Sequence, residues 1–264
     1  MIDYSNKVIW ITGASSGIGE HLAYALSQRG AQLILSARRT EVLERVRQAC
    51  NQPQNVHIVA LDLSNESSVI HAFNEVIALH QRIDVLFNNG GISQRSEAIL
   101  TPLEVDRKIF DVNFFHNILL GKRVAAHMAE RGEGHIIVTS SLSGKWGFYL
   151  RSAYAASKHA LHGFYESMRL ELEPHNVRIS IITPGFIATE ISVHALQADG
   201  TSTGAMDQNQ SKGITATECA NQILRGLDKG KDDFGVGGKE LLSLTLHRFF
   251  PKWFGRILRK QSAR

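Results

Sequence analysis

Val8-Ile9-Trp10-Ile11-Thr12-Gly13-Ala14-Ser15-Ser16-Gly17-Ile18-Gly19-Glu20-His21-Leu22-Ala23 passes from a strand pattern to a helix pattern across three glycines. Its first four residues form a short apolar run with β-branched members, which reads as a buried strand. Glu20 to Leu26 reads as the helix. Strand, glycine turn and helix in this order make a dinucleotide-binding fingerprint. Gly13 permits the tight turn, Gly17 lets the backbone approach a pyrophosphate, and Gly19 lets the helix pack closely on the strand. The first N–H groups of that helix and its positive dipole end favour an anion. Ser15, Ser16, Gly17 and Ile18 are therefore candidate phosphate contacts.

The next strand, Gln32-Leu33-Ile34-Leu35-Ser36, runs into Ala37-Arg38-Arg39. An NAD site places a carboxylate after this strand for the ribose 2′-OH. Here two guanidiniums stand instead, and a guanidinium chelates a 2′-phosphate through several N–H donors. NADP(H) is thus expected over NAD(H), with Arg38 as the main contact, Arg39 beside it and Ser36 as a further hydroxyl. The alternative is a solvated arginine at a helix start. Further strands are expected at Val56-Ala60, Asp84-Phe87, His135-Val138 and Arg178-Ile182, with helices after Thr40 as a cap, across 106–131 and across 154–175. Such alternation predicts an α/β fold, a doubly wound parallel sheet of about seven strands with helices on both faces. Ligands in such sheets sit at the carboxyl ends of the strands.

Tyr154 and Lys158 lie four residues apart, on one face of the expected helix. A phenol with a pKa near 10 is a poor proton donor or acceptor at neutral pH. An ammonium one turn away is expected to stabilise the phenolate and draw that pKa down. Ser141, upstream, is placed to hold a substrate oxygen. The chemistry indicated is carbonyl/alcohol interconversion, which needs a hydride carrier.

Thr12 to Gly19, Asp62, Asn88-Asn89-Gly90-Gly91, Asn113, Ser140-Ser141, Tyr154 with Lys158, and Pro184-Gly185 together resemble the short-chain dehydrogenase/reductase family, over about residues 5 to 240. The resemblance implies a Rossmann-type domain over 1–240. It implies that Tyr154 is the general acid/base, that Lys158 holds the nicotinamide ribose and lowers the tyrosine's pKa, and that Ser141 polarises the substrate oxygen. Asn113 would hold a water in the proton relay. Asp62 and Leu63 would meet the adenine edge, and Asn88, Asn89 and Gly90 would line the cofactor groove. Pro184, Gly185, Ile187 and Thr189 would meet the nicotinamide end. A homodimer or homotetramer is implied as well. Two departures stand out. Gly90 replaces the family's usual alanine, which adds backbone freedom but removes no functional atom. Ser16 stands where some NADP-using members carry a basic residue, so the cofactor choice rests on Arg38 and Arg39. Ser140 to Lys145 and the stretch 198–207 are similar to the narrower "member 7" branch and, more distantly, to the 11β-hydroxysteroid dehydrogenase type.

The chain has 264 residues, 29 Lys and Arg against 25 Asp and Glu, and a net charge of +4. That excess is mild and gathers towards the C-terminus, and no nucleic-acid module is present, so no nucleic-acid partner is expected. Cys50 and Cys219 fit no metal spacing or disulfide framework, and the 12 histidines form no HExxH pair. No metal is expected, and a reducing, cytoplasmic setting is. No run is long enough to span a bilayer, and no signal peptide or N-terminal anchor is expected. Residues 190–213 are polar and glycine-containing, either a lid that excludes water or a mobile loop. Thr215 to Glu218 reads as a capping box. Phe148, Tyr149, Leu150 and Phe186 form either an apolar pocket wall or core.

The extension 241–264 spaces Leu242, Leu246, Phe249, Phe250, Trp253, Phe254, Ile257 and Leu258 in near-helical register among Arg248, Lys252, Arg256, Arg259, Lys260 and Arg264, with no acid. Pro251 is expected to start a second helical piece. Such a basic amphipathic segment docks on its own core, on a partner subunit, or weakly on a membrane surface. The function expected is NADP(H)-dependent carbonyl/alcohol interconversion on an apolar small molecule. The alternative is a cofactor sensor or scaffold on the same fold.

Overall fold

Along β1 (Val8–Thr12) the side chains alternate between two cores: Val8 and Trp10 join one cluster, Ile9 and Ile11 the other. A strand buried on both faces belongs in the middle of a parallel sheet covered by helices on each side. The computed structural model, which describes residues 2–260, has that architecture. Its 7-stranded sheet is parallel throughout. The order is β3 (Val56–Ile58), β2 (Gln32–Ser36), β1, β4 (Val85–Asn88), β5 (Gly134–Thr139), β6 (Val177–Pro184) and β9 (Asp233–Val236). A small pair, β7 (Ile187–Ala188) and β8 (Ile214–Thr215), lies apart from it.

Helices α1 (Gly17–Ser27), α2 (Thr40–Ala49) and α8 (Ala216–Asp228) share the core of Ile9 and Ile11. Helices α3 (Glu66–His80), α5 (His116–Arg131) and α6 (Ser152–Leu172) share that of Trp10. The chain winds outward from β1 in one direction and from β4 in the other. The crevice beyond the carboxyl ends of β1 and β4 is therefore the ligand position of this topology.

Several local expectations shift. The third strand ends at Ile58, not Ala60. The helix expected across 106–131 is α4 (Leu103–Phe110) and α5 joined by one wide π turn, Asp111–Phe115, which carries Asn113. Thr40 is the first residue of α2 and not its cap; Arg39 holds the cap position without a side-chain bond. Thr215 does cap α8, its Oγ1 accepting the Glu218 N–H at 3.1 Å, whereas the Glu218 carboxylate turns to Gln222 and Arg225.

Residues 190–213 contain the short helix α7 (Gln208–Ser211) and are pinned more firmly than their polarity implies. Leu196 is buried against Val105, Ile109 and Ala153, and its backbone bonds to Ser93 and Arg95. The C-terminal extension forms α9 (Leu242–Phe249) and α10 (Pro251–Lys260), with Pro251 opening the second helix as expected. Its Phe254 is buried edge-on against Trp146, ring centres 4.7 Å apart. Arg264 lies outside the described residues. Among the described residues no helix is long and apolar enough to cross a membrane.

Candidate active site

The turn between β1 and α1 is stitched to the end of β4. Thr12 Oγ1 accepts the N–H groups of Asn89 and Gly90, both at 3.0 Å, and the Asn89 amide donates to the Thr12 carbonyl at 3.1 Å. Gly13 has φ +66°, and a Cβ there would stand 2.9 Å from the Gly90 Cα. A Cβ on Gly19 would overlap the Gly13 carbonyl, so Gly19 works in helix-to-strand packing and does not line the cleft. Ser15, Ser16, Gly17 and Ile18 do line it. Ser16, at the N-cap of α1, makes no side-chain cap bond, which leaves the first N–H groups of the helix for an anion.

Arg38 and Arg39 stand exposed on the cleft rim after β2. Ser36 lies behind them, buried but lining the cleft. Its hydroxyl accepts the Trp10 indole N–H at 2.9 Å inside the core. Asp62 lines the cleft, one carboxylate oxygen accepting from the backbone and hydroxyl of Ser64. A Cβ on Gly90 would stand 2.5 Å from Leu63 Cδ1, so the leucine takes up the space an alanine would fill. Pro184, Gly185, Ile187 and Thr189 close this side, with Thr189 beside Gly17. Asn89 lines the groove, but Asn88 does not. The Asn88 amide is fully buried and donates to Asn117 and to the Tyr165 hydroxyl.

The opposite wall carries the candidate chemistry. Ser141 caps the single turn 142–144 through its Oγ, which accepts the Ser143 N–H. Tyr154 and Lys158 on α6 are 6% and 4% exposed. Lys158 Nζ donates to the Thr139 carbonyl at 2.9 Å and lies 5.9 Å from the Tyr154 ring centre. Burial lowers the Lys158 pKa to about 8. Burial raises that of Tyr154, against the opposing pull of a hydrogen bond with Ser141 and of the Arg151 guanidinium. The net direction for the tyrosine is therefore up, not down. The four-residue spacing places both groups on one face, but it also buries both, and the ammonium is engaged by a carbonyl.

Asn113 sits on the π turn Asp111–Phe115. It is fully buried behind the cleft, its amide donating to the Ile92 carbonyl and Ser157 Oγ while its oxygen accepts the Ile92 N–H at 2.8 Å. It ties the segment after β4 to α6.

Four contributors escaped the sequence reading. Gln94, fully buried, accepts the Tyr154 N–H at 3.1 Å and so fixes the first turn of α6. Arg151 lines the cleft one turn before Tyr154. Asp207 binds both Arg151 and Arg95. Burial works to raise the Asp207 pKa, but the two arginines outweigh it and hold the carboxyl below its usual range. Glu240 accepts the Phe186 and Gly238 N–H groups, both at 2.9 Å, and steadies the Pro184–Phe186 turn. Gln94 and Tyr154, Asp207 and Arg151, and Glu240 and Phe186 are distant in sequence, so no local pattern marks these pairs. Phe148 and Phe186 form an apolar wall with Leu142, whereas Tyr149 and Leu150 lie off it. The cleft holds about 410 Å³, a size suited to a small molecule. His162, Glu166 and Asp233 gather possible metal donors away from the cleft, but the Lys145 ammonium already sits among them.

A glycine cradle at the switch point of a doubly wound sheet, faced by a half-buried serine and a buried tyrosine and lysine, is the arrangement of a Rossmann-fold oxidoreductase. The family described as short chain dehydrogenase matches residues 7–200. A "Dehydrogenase/reductase SDR family protein 7-like" of Drosophila melanogaster is 36% identical over 264 residues, covering 98% of this chain and 81% of that one. The "Dehydrogenase/reductase SDR family member 7B" of Mus musculus is 37% identical, covering 86% and 72%. A crystal structure of a short-chain dehydrogenase from Streptomyces avermitilis superposes with TM-score 0.82 at 28% identity, covering 99% and 100%. The chain belongs to the short-chain dehydrogenase/reductase family, in the member 7-like branch.

Proposed function

We propose that this protein is an NADP(H)-dependent oxidoreductase that interconverts a carbonyl and an alcohol on an apolar small molecule. The observation that carries the reading is one cleft with Gly13, Gly17 and Arg38 along one side and Ser141, Tyr154 and Lys158 along the other. When bound, the cofactor supplies or accepts the hydride. The uncapped start of α1 suits its pyrophosphate, Arg38 and Arg39 its 2′-phosphate, and Asp62 with Leu63 its adenine edge. Asn89 and Gly90 suit the groove between, and Pro184, Gly185, Ile187 and Thr189 the nicotinamide end.

In reduction, the substrate oxygen accepts hydrogen bonds from the Ser141 and Tyr154 hydroxyls, and Tyr154 gives up its proton as negative charge develops there. Burial favours the protonated phenol, so the resting tyrosine is the acid form. The buried Lys158 ammonium offsets the phenolate charge that follows. Asn113 acts at one remove, by holding Gly91 and Ile92 against α6. Oxidation runs through the same groups in reverse.

Cys50 and Cys219, both buried and unpaired, suit a reducing compartment such as the cytoplasm, and a homodimer or homotetramer suits the family. Phe249 and Trp253, 65% and 67% exposed beside Arg248 and Lys252, suit weak contact with an anionic membrane. Co-sedimentation with anionic vesicles that survives Phe249→Ser/Trp253→Ser would remove that part of the reading.

The deciding experiment is cofactor consumption by purified protein against ketones, aldehydes, quinones and steroids, with NADPH and NADH in parallel. Turnover is expected with NADPH and should fall about a hundredfold or more in Tyr154→Phe, with NADPH binding retained. Equal use of NADH would overturn the 2′-phosphate reading. NADPH binding with no turnover of any carbonyl would leave a cofactor sensor.

A further inference from the structure

We propose that α9 and α10 build a second chamber that takes the extended aliphatic tail of the substrate whose carbonyl lies at Tyr154. This rests on the carbonyl chemistry proposed above and names the substrate class. The chamber holds about 440 Å³ and adjoins the 410 Å³ cleft. Leu142, Phe148 and Phe186 line both spaces, so the two meet at three apolar side chains. Its far walls include Leu246, Phe254 and Leu258 from the two C-terminal helices.

The hairpin has aromatic bulk with which to fill the chamber, yet Phe249 and Trp253 are turned to the outside. Phe254 instead packs on Trp146 and His247 and holds the hairpin over the chamber. Glu240, at the edge, already has its carboxylate committed to the Phe186 and Gly238 N–H groups. What remains is an apolar space that begins where the cleft ends, and apolar walls with few polar groups mark ligand space. A ligand that fills both must pass Phe148 and Phe186, and a flexible chain makes that passage where a rigid ring system does not.

The test is a series of straight-chain methyl ketones from butanone to tetradecanone, assayed with NADPH. Each added methylene buried in the chamber is expected to raise kcat/KM about threefold to fourfold until the space is full. Leu258→Trp, which fills the chamber, and Ile257→Lys, which places a charge at its half-exposed edge, should flatten that rise and leave butanone turnover unchanged. A rise that persists in both variants, or butanone turnover with no dependence on chain length, would overturn the proposal. Trp146, a wall residue, reports binding without chemistry in a Trp253→Phe background, where the one other tryptophan, Trp10, is fully buried in the sheet core. A chain-length-dependent change in its emission with no turnover would refute the carbonyl chemistry and leave the chamber standing. No change with tetradecanone would refute the chamber whatever the turnover.

Discussion

At Lys158 the cost of burial decides the chemistry. Its pKa is drawn down to about 8, while that of Tyr154 is pushed up by burial despite Ser141 and Arg151. In the direction of reduction the tyrosine must be protonated and the lysine charged. The tyrosine keeps its proton well past neutrality, so the lysine sets the limit. We expect kcat/KM to stay level at lower pH and to fall as pH rises through about 8. Lys158→Arg, if it retains activity, should move that fall upward, because a guanidinium does not titrate in this range. A wild-type profile that stays level to the ordinary phenol pKa near 10 would contradict the assignment. That Tyr154 and Lys158 share one face of a helix was legible from their spacing. The direction of the tyrosine's shift was not, because it depends on desolvation by the surrounding fold.

Among the elements, the segment 190–213 departs most from its sequence character. Its polar residues read as a free loop or lid, yet Asp207 anchors it through Arg95 and Arg151, residues from two other parts of the chain. Asp207 also caps α7, its Oδ1 accepting the Asn209 and Gln210 N–H groups. Asp207→Asn leaves two partly buried guanidiniums without a countercharge, a loss of about 3 kcal/mol by analogy with other broken buried pairs. We expect faster proteolysis and hydrogen exchange within 190–213 and a lower affinity for substrate. Unchanged exchange in the variant would show that the segment is held by other contacts. The π turn at Asp111–Phe115 is a second such case: helical periodicity predicted one continuous helix, and an extra residue in one turn does not disturb the pattern enough to be read.

Across the whole molecule, two buried histidines make the fold acid-sensitive. His135 is on β5 and bonds to Ser180 of β6 at 2.8 Å, and burial pushes its pKa down to about 3. His162, on α6, is pushed to about 3 by burial and then by Lys145. From the ordinary value of 6.5 down to about 3, the unfolded chain binds more protons than the folded one. Stability is therefore fully present above 6.5 and is lost as pH falls through that window, by up to about 1.4 kcal/mol per pH unit for each histidine. Melting temperatures measured across the window should fall towards acid, and His135→Gln should make the decline shallower. An unaltered slope in that variant would place the acid sensitivity elsewhere.

The sequence alone determined the alternation of strands and helices, the parallel sheet, the glycine turn and the order of the motif residues. Each of these follows from local periodicity or from groups a few positions apart. Tertiary structure decided which way the side chains face and what they bind. It turned Ser36, Asn88 and Asn113 inward, brought Asp207 to Arg151, set Gln94 under Tyr154 and Glu240 under Phe186, and folded α9 and α10 over a chamber beside the cleft. Burial and hydrogen-bond partners are properties of segments that meet only in the folded chain, so no local pattern carries them.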